Sequence, residues 1–123
     1  MVHILVIEDD DSVRGALSQT LERLGYAVAS ASNGREGLQR ALEHTPDLVI
    51  TDLIMPDTEG LETIIELRRR SPQVKIIAIS GGGRLSNENY LSVARKFGAH
   101  GTLAKPFSRE ELKAAISAAL TAV

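Results

Sequence analysis

The chain has 123 residues, 43% of them hydrophobic and 24% charged, with a formal net charge of −2, values typical of one globular domain with a core of its own. This balance argues against a polyanion-binding surface, and the absence of cysteine excludes disulfides, thiolate metal sites and cysteine nucleophiles. The apolar runs are far too short to cross a membrane, and the first run follows Met1 too closely for a signal-peptide core. We therefore expect a cytoplasmic protein.

Short apolar runs predict five β-strands along the chain. They lie at residues 4–7, 27–29, 48–51, 76–79 and 102–104. Some of these runs contain no polar residue, which is typical of strands in a parallel sheet that helices cover on both faces.

Apolar residues recur at helical spacing after each of these runs. The five predicted helical stripes lie within residues 13–24, 38–42, 61–65, 90–97 and 112–120. Gly25 and Gly98 follow the first and fourth stripes, where a glycine commonly ends a helix. Ser108 and Glu111 form a capping box that opens the fifth helix.

The βα unit therefore occurs five times in succession. Connections of this length join parallel strands by right-handed crossovers. The sequence predicts a doubly wound α/β fold with a five-stranded parallel sheet, organised as one domain over residues 1–123.

In open α/β sheets, ligands bind beyond the carboxyl ends of the strands. Polar side chains follow four of the five predicted strands at that edge. They are Glu8, Asp9, Asp10 and Asp11 after the first strand, Asp52 after the third, Ser80 after the fourth and Lys105 after the fifth. We expect these carboxylates, the hydroxyl and the ammonium group to converge.

This combination of side chains favours phosphoryl chemistry with a hard metal ion. Carboxylates with no thiol or imidazole beside them suit Mg²⁺ or Mn²⁺. Lys105 and Ser80 can bind phosphoryl oxygens, and a carboxylate facing them can act as a nucleophile that forms an acyl phosphate. Asp52 is the candidate nucleophile because it stands alone after the third strand.

Each of these residues also has a simpler explanation when it is taken alone. Glu8 and Asp9 are then part of a charged, helix-capping loop, Asp52 is a turn residue, Ser80 is a loop hydroxyl beside glycines, and Lys105 is a solvated lysine. The ordered set at successive strand ends favours the functional interpretation.

The ordered set resembles the receiver domain of response regulators, the phosphoacceptor of two-component signalling. The resemblance covers essentially the whole chain and rests on four motifs. They are Ile4-Leu5-Val6-Ile7-Glu8-Asp9, Asp52-Leu53-Ile54-Met55-Pro56 with Gly60 beyond it, Ser80, and Lys105-Pro106-Phe107. It implies a flavodoxin-like fold with sheet order 2-1-3-4-5 and a Mg²⁺-dependent transfer of phosphate from a phosphohistidine donor onto Asp52.

The resemblance also implies roles for individual residues. Asp9 would bind the ion directly and Glu8 through water, and Asp52 and the backbone carbonyl of Ile54 would complete the protein ligands. Arg14, six residues after Glu8, matches a family arginine and thereby assigns Glu8 and Asp9 to the acidic pair. Asp10 and Asp11 then remain as acids that cap the first helix. The Lys105–Pro106 peptide bond is cis in the family.

Two features depart from the family pattern. Thr102 stands three residues before Lys105, where receivers carry an aromatic residue that rotates on activation. The segment between Ser80 and Lys105 is longer than usual, and we expect the extra length at residues 81–89, in a mobile loop that reorders on phosphorylation. Ser80 and Thr102 are the candidate switch residues.

The leading hypothesis is a phosphoaspartate switch that signals by binding partners and is not an enzyme acting on a separate substrate. Its partners would be a sensor histidine kinase or histidine phosphotransfer protein and a downstream protein, the latter docking on the fourth helix, fifth strand and fifth helix, with no direct contact to nucleic acid or membrane. Both a stand-alone receiver and a segment of a larger regulator fit the sequence.

Three rival functions differ at specific positions. A phosphorylation-independent interaction module of the same fold is favoured by Thr102. A hydrolase with an aspartate nucleophile needs a second acid where the chain has Ile54, and a flavodoxin-type flavin protein needs a phosphate loop where the chain has the acidic run after the first strand.

Overall fold

Five short strands and four helices alternate in the part of the chain that the structure describes. A computed structural model describes residues 1–52, 59–80, 92 and 94–122, with no side-chain description for residues 59 and 60. The strands are β1 (His3–Ile7), β2 (Ala27–Ala31), β3 (Leu48–Asp52), β4 (Lys75–Ser80) and β5 (Gly101–Ala104). The helices are α1 (Asp11–Arg23), α2 (Gly34–Glu43), α3 (Glu59–Arg70) and the C-terminal α4 (Arg109–Thr121). Ser92 and residues 94–96 are also helical and belong to the fourth stripe of the sequence.

All five strands form one parallel sheet with the order β2-β1-β3-β4-β5. The predicted fold class and strand order are therefore confirmed. Each strand is one or two residues longer than its apolar run, because flanking residues continue the hydrogen-bonded ladder. β3 is buried along its whole length, from Leu48 to Asp52, and lies at the centre of the sheet. Its last residue, Asp52, therefore lies at the middle of the carboxyl edge of the sheet.

The sheet is covered on both faces, as the alternation of side chains along its strands requires. On one face Leu5 and Ile7 pack with α2 and α3. On the other face Ile4 and Val6 pack with α1 and α4. β1 therefore places apolar side chains in both cores, which is why its buried residues 4–7 are all apolar.

Local signals set the ends of the helices. Asp10 caps α1 by accepting a hydrogen bond from the backbone N–H of Val13, and Ser108 and Glu111 form the predicted capping box of α4. Gly25 and Gly98 follow helical segments with φ angles of 99° and 119°, a region that favours glycine. These predicted helix boundaries are confirmed.

The predicted helical stripes are only partly buried. Leu42 and Ile65 continue two stripes but are 42% and 39% exposed, and Phe97 is 48% exposed. The spacing identifies the inner face, but the width of that face depends on neighbouring helices. Tyr90, Val93 and the predicted mobile loop at 81–89 lie outside the described residues.

One close approach links α2 to the end of β1. A methyl group on Gly37 would overlap the side chain of Ile7, whose Cγ1 atom would lie 2.6 Å away. Only glycine lets α2 pack this closely against the residue that precedes Glu8. α2 thus packs directly against the residue that precedes Glu8.

Among the described helices, none combines the length and the apolar character that a bilayer crossing demands.

Protonation of His100 is expected to weaken the link between β4 and β5. Nδ1 of His100 accepts a hydrogen bond from the backbone N–H of Ile76 at 3.1 Å, and an imidazolium has no acceptor at that atom. Burial, assisted by the charges of Arg68 and Lys75, lowers the pKa of His100 from its usual 6.5. The unfolded chain therefore takes up the proton first, and the free energy of unfolding falls as the pH drops below about 6.5.

Denaturant unfolding between pH 8 and pH 5 tests this expectation with His100→Asn as the matched control, because an amide oxygen is an acceptor that does not titrate. The wild-type protein should lose stability relative to the variant as the pH falls. The expected loss is about 1 kcal/mol, the contribution of one hydrogen bond. A difference that stays constant over the whole range would contradict the assignment.

Candidate functional site

Three strand ends bring two carboxylates and one ammonium group into direct contact. Glu8 follows β1, Asp52 ends β3 and Lys105 follows β5. Nζ of Lys105 lies 2.9 Å from Oε1 of Glu8 and 2.8 Å from Oδ2 of Asp52. The predicted convergence of Glu8, Asp52 and Lys105 at the carboxyl edge is what the structure shows.

The two carboxylates are buried, and the lysine is partly so. The side chains of Glu8 and Asp52 are 4% and 7% exposed, whereas that of Lys105 is 26% exposed. Burying ionised groups is unfavourable unless they are paired. Lys105 supplies one positive charge for two acids, so the ionised cluster keeps an excess negative charge away from water.

The ionisation of the cluster reflects this imbalance. Desolvation raises the pKa of Glu8 to about 7, with the negative charge of Asp52 acting in the same direction, although the hydrogen bond from Lys105 opposes the shift. Burial lowers the pKa of Lys105, but its hydrogen bonds to Asp52 and Glu8 together outweigh burial and raise it. Lys105 is therefore charged, and Glu8 exchanges its proton near neutral pH.

The sheet register places Ser80 at the same carboxyl edge as this cluster. It ends β4 and is fully buried. In the β3–β4 ladder Asp52 pairs with Ile79, so Ser80 is one residue further along the neighbouring strand. The backbone carbonyl of Ser80 accepts a hydrogen bond from the N–H of Lys105 at 2.8 Å. The backbone thus couples the predicted hydroxyl residue to the predicted lysine.

The acidic run after β1 divides into parts with different environments. Glu8 is buried, whereas Asp9 is exposed. Asp10 caps α1, as predicted. Asp11 was predicted to cap as well, but its carboxylate forms an ion pair with Arg14 at 2.5 Å. The run is therefore one buried acid, one exposed acid, a cap and an ion-pair partner.

Sequence reasoning missed a contact of Arg14. Its Nη1 group donates a hydrogen bond to the backbone carbonyl of Glu8 at 2.9 Å. The spacing of Arg14, one helical turn beyond the cap of the helix that follows an acidic strand end, indicates a side chain near that strand end. Nothing in the sequence indicates that a backbone carbonyl is its partner.

The remaining predicted site residues lie further out or cannot be described. Thr102 is in the edge strand β5, where its Oγ1 accepts a hydrogen bond from Nη2 of Arg95 at 3.2 Å. In the described part of the chain, its side chain forms no hydrogen bond with Glu8, Asp52 or Lys105. Ile54, the predicted backbone ligand, lies outside the described residues. The Lys105–Pro106 bond is cis, as predicted.

The donor set suits a hard divalent ion. Oε2 of Glu8 is buried without a hydrogen-bond partner among the described residues, so it has unused capacity for a ligand. Carboxylate oxygens are what Mg²⁺ and Mn²⁺ prefer. Within the described ranges, however, no three acidic or histidine side chains already form a metal cluster, and Lys105 stands between Glu8 and Asp52. The residues fit such an ion in character, and Asp9 would have to turn inward to join them.

A cavity of about 680 Å³ opens beside the cluster, between α1 and α4. Glu8, Asp52 and Lys105 contribute to its wall, and most of the remaining wall is apolar. Its apolar lining includes Val13, Ala16, Leu17, Ile50, Ile79 and Phe107. Ala16, which was predicted to face the core, is exposed because it borders this cavity. The cavity provides a route from solvent to the carboxylate of Asp52.

Comparison with known proteins gives consistent results. The family model described as the response regulator receiver domain matches residues 4–117. The uncharacterized transcriptional regulatory protein YkoG of Bacillus subtilis (strain 168) is 36% identical over 118 residues, which cover 96% of this chain and 50% of that protein. The alkaline phosphatase synthesis transcriptional regulatory protein PhoP of the same organism is 34% identical over 118 residues, covering 95% of this chain and 48% of that protein.

Solved structures agree with the fold. A response regulator receiver domain protein from Clostridium thermocellum superposes with a TM-score of 0.89 at 32% identity, covering 98% of this chain and 94% of that one. The chemotaxis protein CheY4 of Vibrio cholerae gives a TM-score of 0.85 at 31% identity, covering 97% of this chain and 98% of that one. The chain spans about half the length of the curated relatives named above.

Replacing Glu8 by glutamine is expected to change how stability depends on pH. The folded-state pKa of Glu8, about 7, lies above its usual 4.5, so the folded protein binds this proton more tightly than the unfolded chain does. The contribution of Glu8 to the free energy of unfolding therefore falls as the pH rises from about 4.5 to about 7, by roughly 2–3 kcal/mol.

Glutamine stays neutral, so Glu8→Gln should become progressively more stable than the wild-type protein between pH 5 and pH 8, in buffer without divalent ions. Both proteins keep His100, and its contribution cancels in the difference. Denaturant unfolding of the two proteins side by side measures this difference. A difference that does not vary with pH would show that the pKa of Glu8 is not raised in the folded protein.

Proposed function

Because the chain belongs to the receiver-domain family of response regulators, a family of signalling proteins, we propose that Asp52 accepts a phosphoryl group from a phosphohistidine donor and that the modified protein signals by binding a partner. The observation that carries this proposal is the buried contact of the Lys105 ammonium group with the carboxylates of both Glu8 and Asp52. A lone structural ion pair needs one acid, whereas this lysine is shared by two acids that come from different strands.

Asp52 is the nucleophile in this scheme. One of its carboxylate oxygens forms the new bond to phosphorus, and the phosphorus–nitrogen bond of the donor breaks, leaving the electron pair on the imidazole nitrogen. Burial supports the reaction because a carboxylate with few water contacts needs little reorganisation before it attacks. Lys105 remains in contact with the site and binds the oxygens of the transferred group.

The proposed metal ligands are the side chains of Glu8, Asp9 and Asp52 and the backbone carbonyl of Ile54. A bound Mg²⁺ or Mn²⁺ ion would neutralise charge on the phosphoryl oxygens. The unpartnered Oε2 of Glu8 supports this assignment, as does the excess of acids over cations in the cluster. Glu8 must be ionised to act as a ligand, and its pKa of about 7 lets it give up its proton near neutral pH.

Ser80 is proposed to bind a phosphoryl oxygen and to transmit the modification. Its position one residue beyond the ladder partner of Asp52 supports this role. Its backbone is already bonded to Lys105, so a movement of the hydroxyl residue and a movement of the lysine affect the same pair of strands. Thr102, which pairs with Ala78 in the β4–β5 ladder, is the proposed second switch residue.

The donor is proposed to approach through the cavity between α1 and α4. That cavity reaches Asp52 and has a largely apolar wall, which contact with a second protein would bury. The donor protein would be a sensor histidine kinase or a histidine phosphotransfer protein.

The output is proposed to be contact with another protein domain. The named relatives are transcriptional regulators about twice as long as this chain, and any DNA contact would come from a further domain or partner. The region proposed to act as the switch is the single domain over residues 1–123. A phosphorylation-independent module of the same fold is the second candidate, favoured by Thr102 at the position of the missing aromatic residue.

Phosphorylation by a small donor distinguishes these two functions. With acetyl phosphate and Mg²⁺, the wild-type protein should form a species that migrates more slowly on a phosphate-affinity gel. Asp52→Asn should give no such species, and omission of divalent ions should suppress it. An unmodified wild-type protein under conditions that label another receiver would favour the phosphorylation-independent module.

Replacing Lys105 should slow phosphorylation without altering the nucleophile. Lys105→Met removes the ammonium group that would bind the phosphoryl oxygens, and loss of one such preorganised donor typically lowers a rate by about 10²-fold. Lys105→Arg keeps the positive charge and should recover part of the rate. Intact-protein mass spectrometry over time measures both variants, and a Lys105→Met rate within about twofold of the wild-type rate would argue against this role.

A further inference from the structure

The side chain of Arg14 connects the first helix to the backbone of the acidic strand end. Its Nη1 group donates to the carbonyl oxygen of Glu8 at 2.9 Å, and its Nη2 group donates to Oδ1 of Asp11 at 2.5 Å. The guanidinium group is mostly covered, with 21% of the side chain exposed. Its planar arrangement of donors suits two acceptors that are fixed relative to each other.

This contact completes the fixation of the backbone at Glu8. The N–H of Glu8 donates to the carbonyl oxygen of Ala31 at 3.1 Å, and its carbonyl accepts from Arg14. The second hydrogen bond holds the peptide unit between Glu8 and Asp9, whose orientation determines the direction in which the Asp9 side chain leaves the backbone. Asp9 is exposed and would otherwise be free to turn about this peptide.

Helix stability does not account for the placement of Arg14. Asp10 already caps α1, and a cation near the start of a helix opposes the macrodipole. The carboxylate partner of the ion pair, Asp11, is 86% exposed, and such surface pairs contribute little. The part of the arginine that matters is therefore its bond to the Glu8 carbonyl.

We propose that Arg14 is a positioning residue for the acidic pair Glu8 and Asp9. It holds the peptide that joins them in one orientation, so that the exposed side chain of Asp9 can join Glu8 at a divalent ion by rotating about its own bonds, without a change of the backbone. This inference rests on the proposed divalent-ion site at Glu8, Asp9 and Asp52. The role of Arg14 concerns binding of the ion, and no contact between Arg14 and the phosphoryl group is part of it.

The sign of the effect separates positioning from simple electrostatics. The positive charge of Arg14 repels a dication, so its removal would strengthen ion binding if charge alone mattered. Loss of positioning weakens binding instead, and loss of a group that orients metal ligands typically lowers affinity about 10–100-fold. The two explanations predict opposite changes for the same variant.

The experiment is a Mg²⁺ titration of the unphosphorylated protein, followed through the backbone amide signals of residues 7–11 by two-dimensional NMR. Arg14→Gln removes the charge, and Arg14→Lys keeps the charge but replaces the fork of donors by a single ammonium group. Arg40→Gln is the matched control, because Arg40 also lies in a helix with an exposed ion pair, to Glu36 at 3.4 Å. Thermal melts of all variants report stability separately from ion affinity.

Arg14→Gln and Arg14→Lys should each weaken Mg²⁺ binding by about tenfold, while Arg40→Gln binds as the wild-type protein does. Tighter or unchanged binding by Arg14→Gln, or a lower melting temperature with wild-type affinity, would overturn the positioning role and leave the proposed function intact. If Arg14→Gln fails to fold, Arg14→Lys alone decides, since its affinity falls only if the geometry of the fork matters. A wild-type protein that does not respond to Mg²⁺ at all would overturn the proposed site and this inference with it.

Discussion

The structure depends on one electrostatic constraint, the burial of two carboxylates around a single ammonium group. Glu8 and Asp52 lose most of their hydration at the carboxyl edge of the sheet, and Lys105 contacts both at 2.9 and 2.8 Å. Such contacts compensate desolvation only in part, which is why the pKa of Glu8 is raised to about 7. In the ion pairs that the described residues form at this site, two acids share the one ammonium group of Lys105. The proposed divalent ion would add positive charge to the two carboxylates.

The fold produces this constraint through backbone geometry. The strands are parallel, so the side chains after β1, β3 and β5 all leave the sheet at the same edge, and the central position of β3 puts Asp52 between the other two. Neighbouring contacts then remove freedom: Gly37 allows α2 to press against Ile7, and the carbonyl of Ser80 fixes the N–H of Lys105. Asp52 is the last residue of a strand, and Glu8 and Lys105 directly follow strands, so the sheet sets the positions of all three groups.

The sequence was sufficient for the fold class and the three residues of the cluster, because each follows from a periodic pattern or from polar residues at a strand end, whereas the strand order was implied by the resemblance to receiver domains. It was insufficient where the outcome depends on tertiary packing. Helical spacing predicted that Leu42, Ile65 and Ala16 lie on inner faces, but spacing carries no information about where the neighbouring helix lies. All three residues are exposed. Asp11 lies in the first turn of α1, as the capping pattern predicts, but its carboxylate is paired with the guanidinium group of Arg14. The bond from Arg14 to a backbone carbonyl was missed because a carbonyl carries no sequence signal at all.

The edge strand β5 shows how a change at the site could reach the surface without the aromatic residue that receivers usually carry. Lys105 directly follows this four-residue strand, and Thr102 within it bonds to Arg95 on the preceding helical segment. A hydrogen bond of 3.2 Å weakens steeply when its donor and acceptor separate or lose alignment. On the proposed function, a movement of Lys105 towards a phosphoryl group would act on the same short strand and hence on the Thr102–Arg95 contact. An aromatic ring signals by rotating between two packed positions, whereas a hydroxyl signals by keeping or losing one directional hydrogen bond. The hydroxyl therefore needs a smaller displacement than the ring, and its change of state alters the packing energy less.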